Sequence, residues 1–145
     1  MQKVKELPEN KSIIIDNLSF RYGSKSSQMV LKKLSFEIPV GKTTAIVGAS
    51  GSGKTTLIKL LLKFYEPTEG SILIGSTNLT DINNDFWRMN CGAVLQETFI
   101  FNDTIAGNIS ESEQNEIIDR DKLKNAVYIA NIEDFVEKLP NKLNT

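Results

Sequence analysis

One stretch constrains this chain more than any other: IVGASGSGKTTLIKLL, residues 46–61. Gly48, Gly53, Lys54 and Thr55 satisfy the spacing G-x-x-x-x-G-K-[ST], between a β-branched apolar run and a segment of helical periodicity. A phosphate chain presents several negative charges and many acceptor oxygens. Glycines at 48, 51 and 53 let the backbone curl around it, because no Cβ blocks close approach. N–H groups from Ser50, Gly51, Ser52, Gly53, Lys54 and Thr55 can then converge on the oxygens. The first helical turn adds its unpaired N–H groups and the positive end of its dipole. Lys54 carries a mobile cation to the β- and γ-phosphates, and the Thr55 hydroxyl is a hard oxygen ligand for Mg2+. Thr56 bonds phosphate or helps cap the loop. The competing reading, a flexible Gly/Ser surface loop, sits badly with the flanking strand and helix signals. The motif points to a nucleoside triphosphate and leaves the base and the purpose open.

The rest of the composition excludes more than it proposes. The chain has 145 residues, enough for one domain with a real core. Seventeen Lys and Arg against 18 Asp and Glu leave a net charge of -1, so no overall basic field favours nucleic acid or an anionic membrane. The single cysteine, Cys91, rules out an internal disulfide and a cysteine metal cluster, and fits a reducing compartment. With no histidine there is no His-based triad and no His-ligated zinc within the chain. MQKVKELPENK lacks the apolar centre of a signal peptide. No apolar run approaches the roughly 20 residues that cross a bilayer, so direct membrane insertion is not expected.

Along the chain, residues 1–11 read as a linker or a disordered arm. SIIIDNLSFRY and MVLKKLSFEI read as strands, the second broken by Pro39 and Gly41. TTAIVG reads as a short buried central strand. After Gly53, Leu57, Leu60, Leu61 and Phe64 recur at helical spacing, and Pro67 and Gly70 stop the pattern. SILI is a further strand, GSTNLTD a polar loop, NDFWRM a short helix and CGAVLQ another strand. From Asp103 onward the segments look like short consecutive helices.

Taken as a set, these stretches resemble the nucleotide-binding domain of an ABC transporter, exporter branch. IIIDNLSFRYGS resembles its first strand and A-loop. VLKKLSFEIPVGKTTAIVGASGSGKTTLIKLLLKFYEPTEGSILI resembles its second strand, Walker A region and following strand. CGAVLQETFIFNDTIAGNI resembles its Q-loop, and LPNKLNT the stretch ahead of its signature region. The resemblance implies an α/β P-loop NTPase fold of the ABC ATPase type. An N-terminal antiparallel β part, the P-loop strand and helix of the core, and the start of a helical subdomain are expected. Residues 12–96 would form a partial core, and 97–145 the Q-loop exit and an incomplete helical subdomain. It implies ATP and Mg2+ as cofactors. Tyr22 matches the A-loop aromatic that stacks on adenine, and Phe20 on the same strand face is core. Gln96 matches the Q-loop glutamine, whose amide oxygen approaches Mg2+ or the attacking water. Phe99, Ile100 and Phe101 look like surface that receives a transmembrane partner.

The implied partners are a transmembrane domain, of the same or another chain, and a second nucleotide-binding domain, with a homodimer in the parent. The implied location is the cytoplasmic face of a bacterial membrane. The Q-loop wording is similar to bacterial peptide and bacteriocin exporters with a peptidase domain. A lipid or drug exporter and a truncated, non-hydrolysing nucleotide-binding module are the alternatives. The family also uses a Walker B aspartate and glutamate, a signature motif and a switch histidine. This chain carries none of them, so very low turnover of its own, marginal stability and self-association are expected. A GTPase would call for N-K-x-D, and NKLN at 141–144 lacks the aspartate.

Overall fold

The computed structural model describes residues 4–95, 99–110 and 118–145. They fall into two compact units, Met1–Gly92 and Ala93–Thr145.

The first unit is built on an antiparallel sheet of β1 (Ile13–Phe20), β2 (Leu31–Ile38), β3 (Glu69–Ile74) and β4 (Thr77–Asn78), in the order β2-β1-β3-β4. β1 is the Ile-rich strand its sequence predicts, and a bulge interrupts its register with β2 between Ile15 and Leu18. Asn17 there takes a left-handed φ of 46. The slip turns Leu18, Ser19 and Phe20 inward in succession, all buried. Lys33, φ 47, is the irregular residue on β2 at a second register shift, between Leu18 and Phe20. Two serines satisfy the displaced donors: Asn17 N–H donates to Ser35 Oγ (2.9 Å) and Lys33 N–H to Ser19 Oγ (3.0 Å).

Helix α1 (Lys54–Leu61) buries Leu57 and Leu60 in the cluster formed by Ile15, Leu18, Ile72 and Ile74. Each such leucine contributes about 1.5–3 kcal/mol on removal from water. A 3-10 turn (Leu79–Asp81) and helix α2 (Asn84–Met89) close the cluster with Leu79, Ile82 and Trp87. Asn83 caps α2 by accepting from Phe86 N–H (3.0 Å). The arm read as a linker is tied down over its described part. Val4 N–H donates to Asp81 C=O (2.9 Å), Asn83 N–H donates to Val4 C=O (2.8 Å), and Leu7 packs on the core.

Two predicted strands are absent. TTAIVG and the described part of CGAVLQ, residues 91–95, run without ladder partners. Val47 is 89% exposed, the opposite of the buried central strand read for TTAIVG, and Val94 is 100% exposed. The apolar, β-branched character is present in both. Among the described residues no neighbouring strand takes their N–H and C=O groups, and a strand exists only as a paired ladder.

The second unit contains α3 (Ile105–Ser110), α4 (Arg120–Ile129), α5 (Glu133–Glu137) and a 3-10 turn (Lys142–Asn144). Among the described residues, Ala106, Leu123, Val127 and Val136 are its buried apolar ones. Asp119 caps α4 by accepting from Asp121 and Lys122 N–H groups. Asn108 organises the turn before α3. Its Oδ1 accepts from Phe101 N–H (2.7 Å), while its Nδ2 donates to Phe101, Asp103 and Thr104 carbonyls.

Candidate functional site

The glycine loop rests on the start of β2. Gly53 is the N-cap of α1, with φ 93 in the left-handed region. A Cβ there would lie 2.6 Å from Leu31 Cδ2, so only glycine lets the loop seat on the sheet without displacing a buried leucine. A Cβ on Gly48 would meet Ser52 Oγ at 2.7 Å. Ser52 N–H donates to Ala49 C=O (3.2 Å) and closes the turn, and Leu57 N–H to Gly53 C=O (2.9 Å) begins the helical ladder. No side chain caps α1 at its N-terminus. The N–H groups of Lys54, Thr55 and Thr56 therefore sit at the positive end of the helix without intrahelical acceptors.

Lys54 turns back into this loop. Its ammonium donates to Gly48 C=O (2.9 Å), Ala49 C=O (2.7 Å) and Ser52 Oγ (3.3 Å). Those three acceptors match its three protons. The Ser52 contact is the longest and is the one an incoming anion can replace most cheaply. Gly48, Ser50, Gly51 and Ser52 are exposed, Thr55 is exposed on the first turn, and Thr56 is buried.

Tyr22 stands just past the end of β1. Its ring makes near-perpendicular contacts with Phe20 (centroids 4.8 Å apart) and Tyr65 (5.2 Å), and its hydroxyl shares a 3.1 Å hydrogen bond with Thr56 Oγ1. Phe20 is buried and Tyr22 39% exposed. The first unit thus brings Tyr22, the glycine loop, Lys54, Thr55 and Thr56 to one end of α1. Gln96 lies outside the described residues.

The far end of α1 is held by residues that sequence reasoning did not single out. Phe64 N–H donates to Lys59 C=O and Lys63 N–H to Leu60 C=O, with Lys63 left-handed at φ 56, a Schellman stop made without glycine. Trp87 Nε1–H donates to Leu61 C=O (2.7 Å), Arg88 Nε–H to Leu62 C=O (3.3 Å) and an Arg88 Nη2–H to Lys63 C=O (2.9 Å). Arg88 also lies 5.1 Å from the Phe64 ring centroid. The Lys63 ammonium reaches inward to Leu79 C=O (2.7 Å) and Ile82 C=O (2.6 Å). Nothing local in FYEPTEG announces these contacts. Only the fold of residues 79–88 against α1 makes them. Cys91 is a half-buried thiol, and burial pushes its pKa up, as suits a packing residue rather than a nucleophile.

A glycine-cradled loop between an apolar segment and an uncapped helix, on a mixed α/β framework, defines a P-loop nucleotide-binding fold. Residues 31–143 match the ABC transporter family, and the chain belongs to it. It is nucleotide-binding-domain sequence of the exporter kind. It is 38% identical over 138 residues to the ATP-dependent lipid A-core flippase of Haemophilus influenzae, covering 95% of this chain and 23% of that protein. It is 42% identical over 129 residues to ABC transporter B family member 29, chloroplastic, of Arabidopsis thaliana, covering 89% and 20%. It is 38% identical over 141 residues to multidrug resistance protein pgp-1 of Caenorhabditis elegans, covering 97% and 10%. Its fold superposes with a TM-score of 0.87 and 36% identity on a bacterial Atm1-family ABC exporter with ATP bound, over 94% of this chain and 24% of that one. The chain thus spans between a tenth and a quarter of the length of these relatives.

Proposed function

We propose that this chain is the ATP-gripping part of an ABC exporter's motor. The observation that carries the reading is the loop at 48–55, with its glycine cradle, its uncapped helix end and the Lys54 ammonium held at its mouth. Lys54 neutralises the β- and γ-phosphates, the loop N–H groups take their oxygens, and Tyr22 offers an aromatic face to the base. Mg2+ fits the Thr55 hydroxyl. Among the described residues no group of three or more His, Cys, Asp or Glu could hold a metal, so the ion would take its remaining ligands from phosphate and water. When bound, the ion would spread the phosphate charge.

In the parent, ATP hydrolysis drives export through a transmembrane domain, with a second nucleotide-binding domain facing the first. No helix among the described residues is long and apolar enough to cross a membrane, so this chain would reach the cytoplasmic membrane face through that partner. Phe99 and Ile100, 78% and 76% exposed, and Phe101, locked by Asn108, support a docking role for that face. A lipid or drug cargo replaces the peptide or bacteriocin expected from the Q-loop wording. What favours it is the lipid A-core flippase and multidrug resistance names among the relatives.

The test is titration of the chain with a fluorescent ATP analogue, with and without Mg2+. Lys54→Ala removes a charge-assisted contact and lowers affinity about ten- to a hundredfold. Unchanged affinity in that variant refutes the phosphate role.

A further inference from the structure

We infer that the N-terminal arm at residues 4–12 is a positioning element for α1, acting on the far end of that helix through the turn at 79–83. That its effect reaches a bound nucleotide rests on the reading above. The link from arm to helix does not.

Three consecutive residues carry that link. Asp81 C=O accepts from Val4 N–H (2.9 Å), and Asn83 N–H donates to Val4 C=O (2.8 Å). Between them, Ile82 C=O accepts from the Lys63 ammonium (2.6 Å). Ile82 is extended, with φ -78 and ψ 140, which turns the carbonyls on either side of it in opposite directions. Asp81 can therefore serve the arm while Ile82 serves the helix end. Asn83 also caps α2, whose Trp87 and Arg88 hold the Leu61, Leu62 and Lys63 carbonyls. A shift of residues 81–83 moves partners on both sides at once.

The inner part of the arm is firmly seated. Leu7 packs on the core, Gly75 N–H donates to Ser12 C=O (2.8 Å), and a Cβ on Gly75 would collide with Asn10 C=O. The outer end is lightly held. Val4 is 40% exposed, and its backbone forms an isolated bridge to Ile82. Few contacts separate a docked arm from a released one, so local opening there is the low-energy motion of this corner. Release loosens the turn that Lys63 needs. Helix α1 has eight residues, about 12 Å of rise, and moves as one rod. Loosening its last turn changes the aim of Lys54 and the free N–H groups at the other end.

The experiment is amide hydrogen exchange on the full chain, with and without saturating ATP, beside calorimetric titration with ATP. Leu7→Asp cannot pack on the core and releases the arm. Lys5→Ala, at an exposed position of the arm, is the control and should change nothing. In Leu7→Asp, exchange should rise about tenfold at Asn83 and about fivefold at Lys63 and Phe64, while the β1–β3 ladder keeps its rates. ATP should bind that variant about fivefold more weakly. In the wild-type chain, saturating ATP should slow exchange at Asn83 by the same factor, because coupling is reciprocal. A rise shared equally by the β1–β3 ladder makes the arm a general stabiliser and overturns the inference. So does a rise at Asn83 with none at Lys63 and Phe64. If Leu7→Asp does not fold, Val4→Pro removes the donor to Asp81 C=O, should raise exchange at the same amides about fivefold, and is read the same way. Wild-type chain that binds no ATP refutes the nucleotide reading, and the exchange pattern alone then decides whether the arm positions the helix.

Discussion

Replacing Lys63 by methionine tests how the phosphate helix is anchored. Lys63 is 8% exposed, and its ammonium bonds two carbonyls, Leu79 at 2.7 Å and Ile82 at 2.6 Å. Methionine keeps the unbranched apolar stem but leaves those carbonyls without the cation. Charge-assisted hydrogen bonds contribute about 1.5–3 kcal/mol each. Loss of the buried ammonium also recovers part of its desolvation cost, so the net effect is nearer one bond than two, about 2–3 kcal/mol. In urea, with a slope of about 1–3 kcal/mol/M for a domain this small, the unfolding midpoint should drop by about 1–2 M. The thermal midpoint should fall by about 10–20 °C. Lys59→Met, on the same helix but half-exposed, is the control and should stay within about 0.5 kcal/mol. A midpoint shift for Lys63→Met no larger than the control's would refute the reasoning. It would mean that water or a small shift of residues 79–82 satisfies both carbonyls at little cost.

Other outcomes follow from the same geometry. Gly53→Ala forces a Cβ into left-handed backbone and against Leu31, and should cost about 2–3 kcal/mol in urea unfolding and weaken ATP binding with it. An unaltered midpoint would show that the loop does not bear on β2. Trp87→Phe removes the donor to Leu61 C=O and should destabilise by about 1–2 kcal/mol, while Trp87→Phe with unchanged stability would show that water caps the helix as well. Because burial raises the Cys91 pKa, the native state holds that proton more tightly than the unfolded chain. Its stabilising contribution is complete below the ordinary thiol range and is lost as pH rises through the raised native value. Alkylation of Cys91 at pH 8 should accordingly run slower in native than in urea-unfolded chain, and equal rates would contradict the burial.

Much of the framework could be read from local pattern. SIIIDNLSFRY, MVLKKLSFEI and SILI each contain a strand where apolar runs between turn residues place one, and Leu57 and Leu60 face the core as their spacing requires. NDFWRM is a helix with its cap in the preceding asparagine. These features depend on residues close in sequence. The bulge at Asn17 was not legible, because the signal that makes it comfortable is a serine hydroxyl on another strand. TTAIVG carried every mark of a strand and is not one here, because strand character needs a partner ladder that no composition supplies.

The same division holds at the site. The residue order alone determined a glycine-rich turn, a lysine and a hydroxyl at the head of a helix, since that chemistry lies within eight consecutive positions. It also placed Tyr22 near by through resemblance. Only the tertiary structure decided that Thr56 turns to Tyr22, that Tyr65 completes the ring cluster, and that Lys63, Trp87 and Arg88 fasten the other end of the helix. Short-range motifs encode which groups are available. The directions in which they point follow from contacts between residues that only folding brings within a few ångströms.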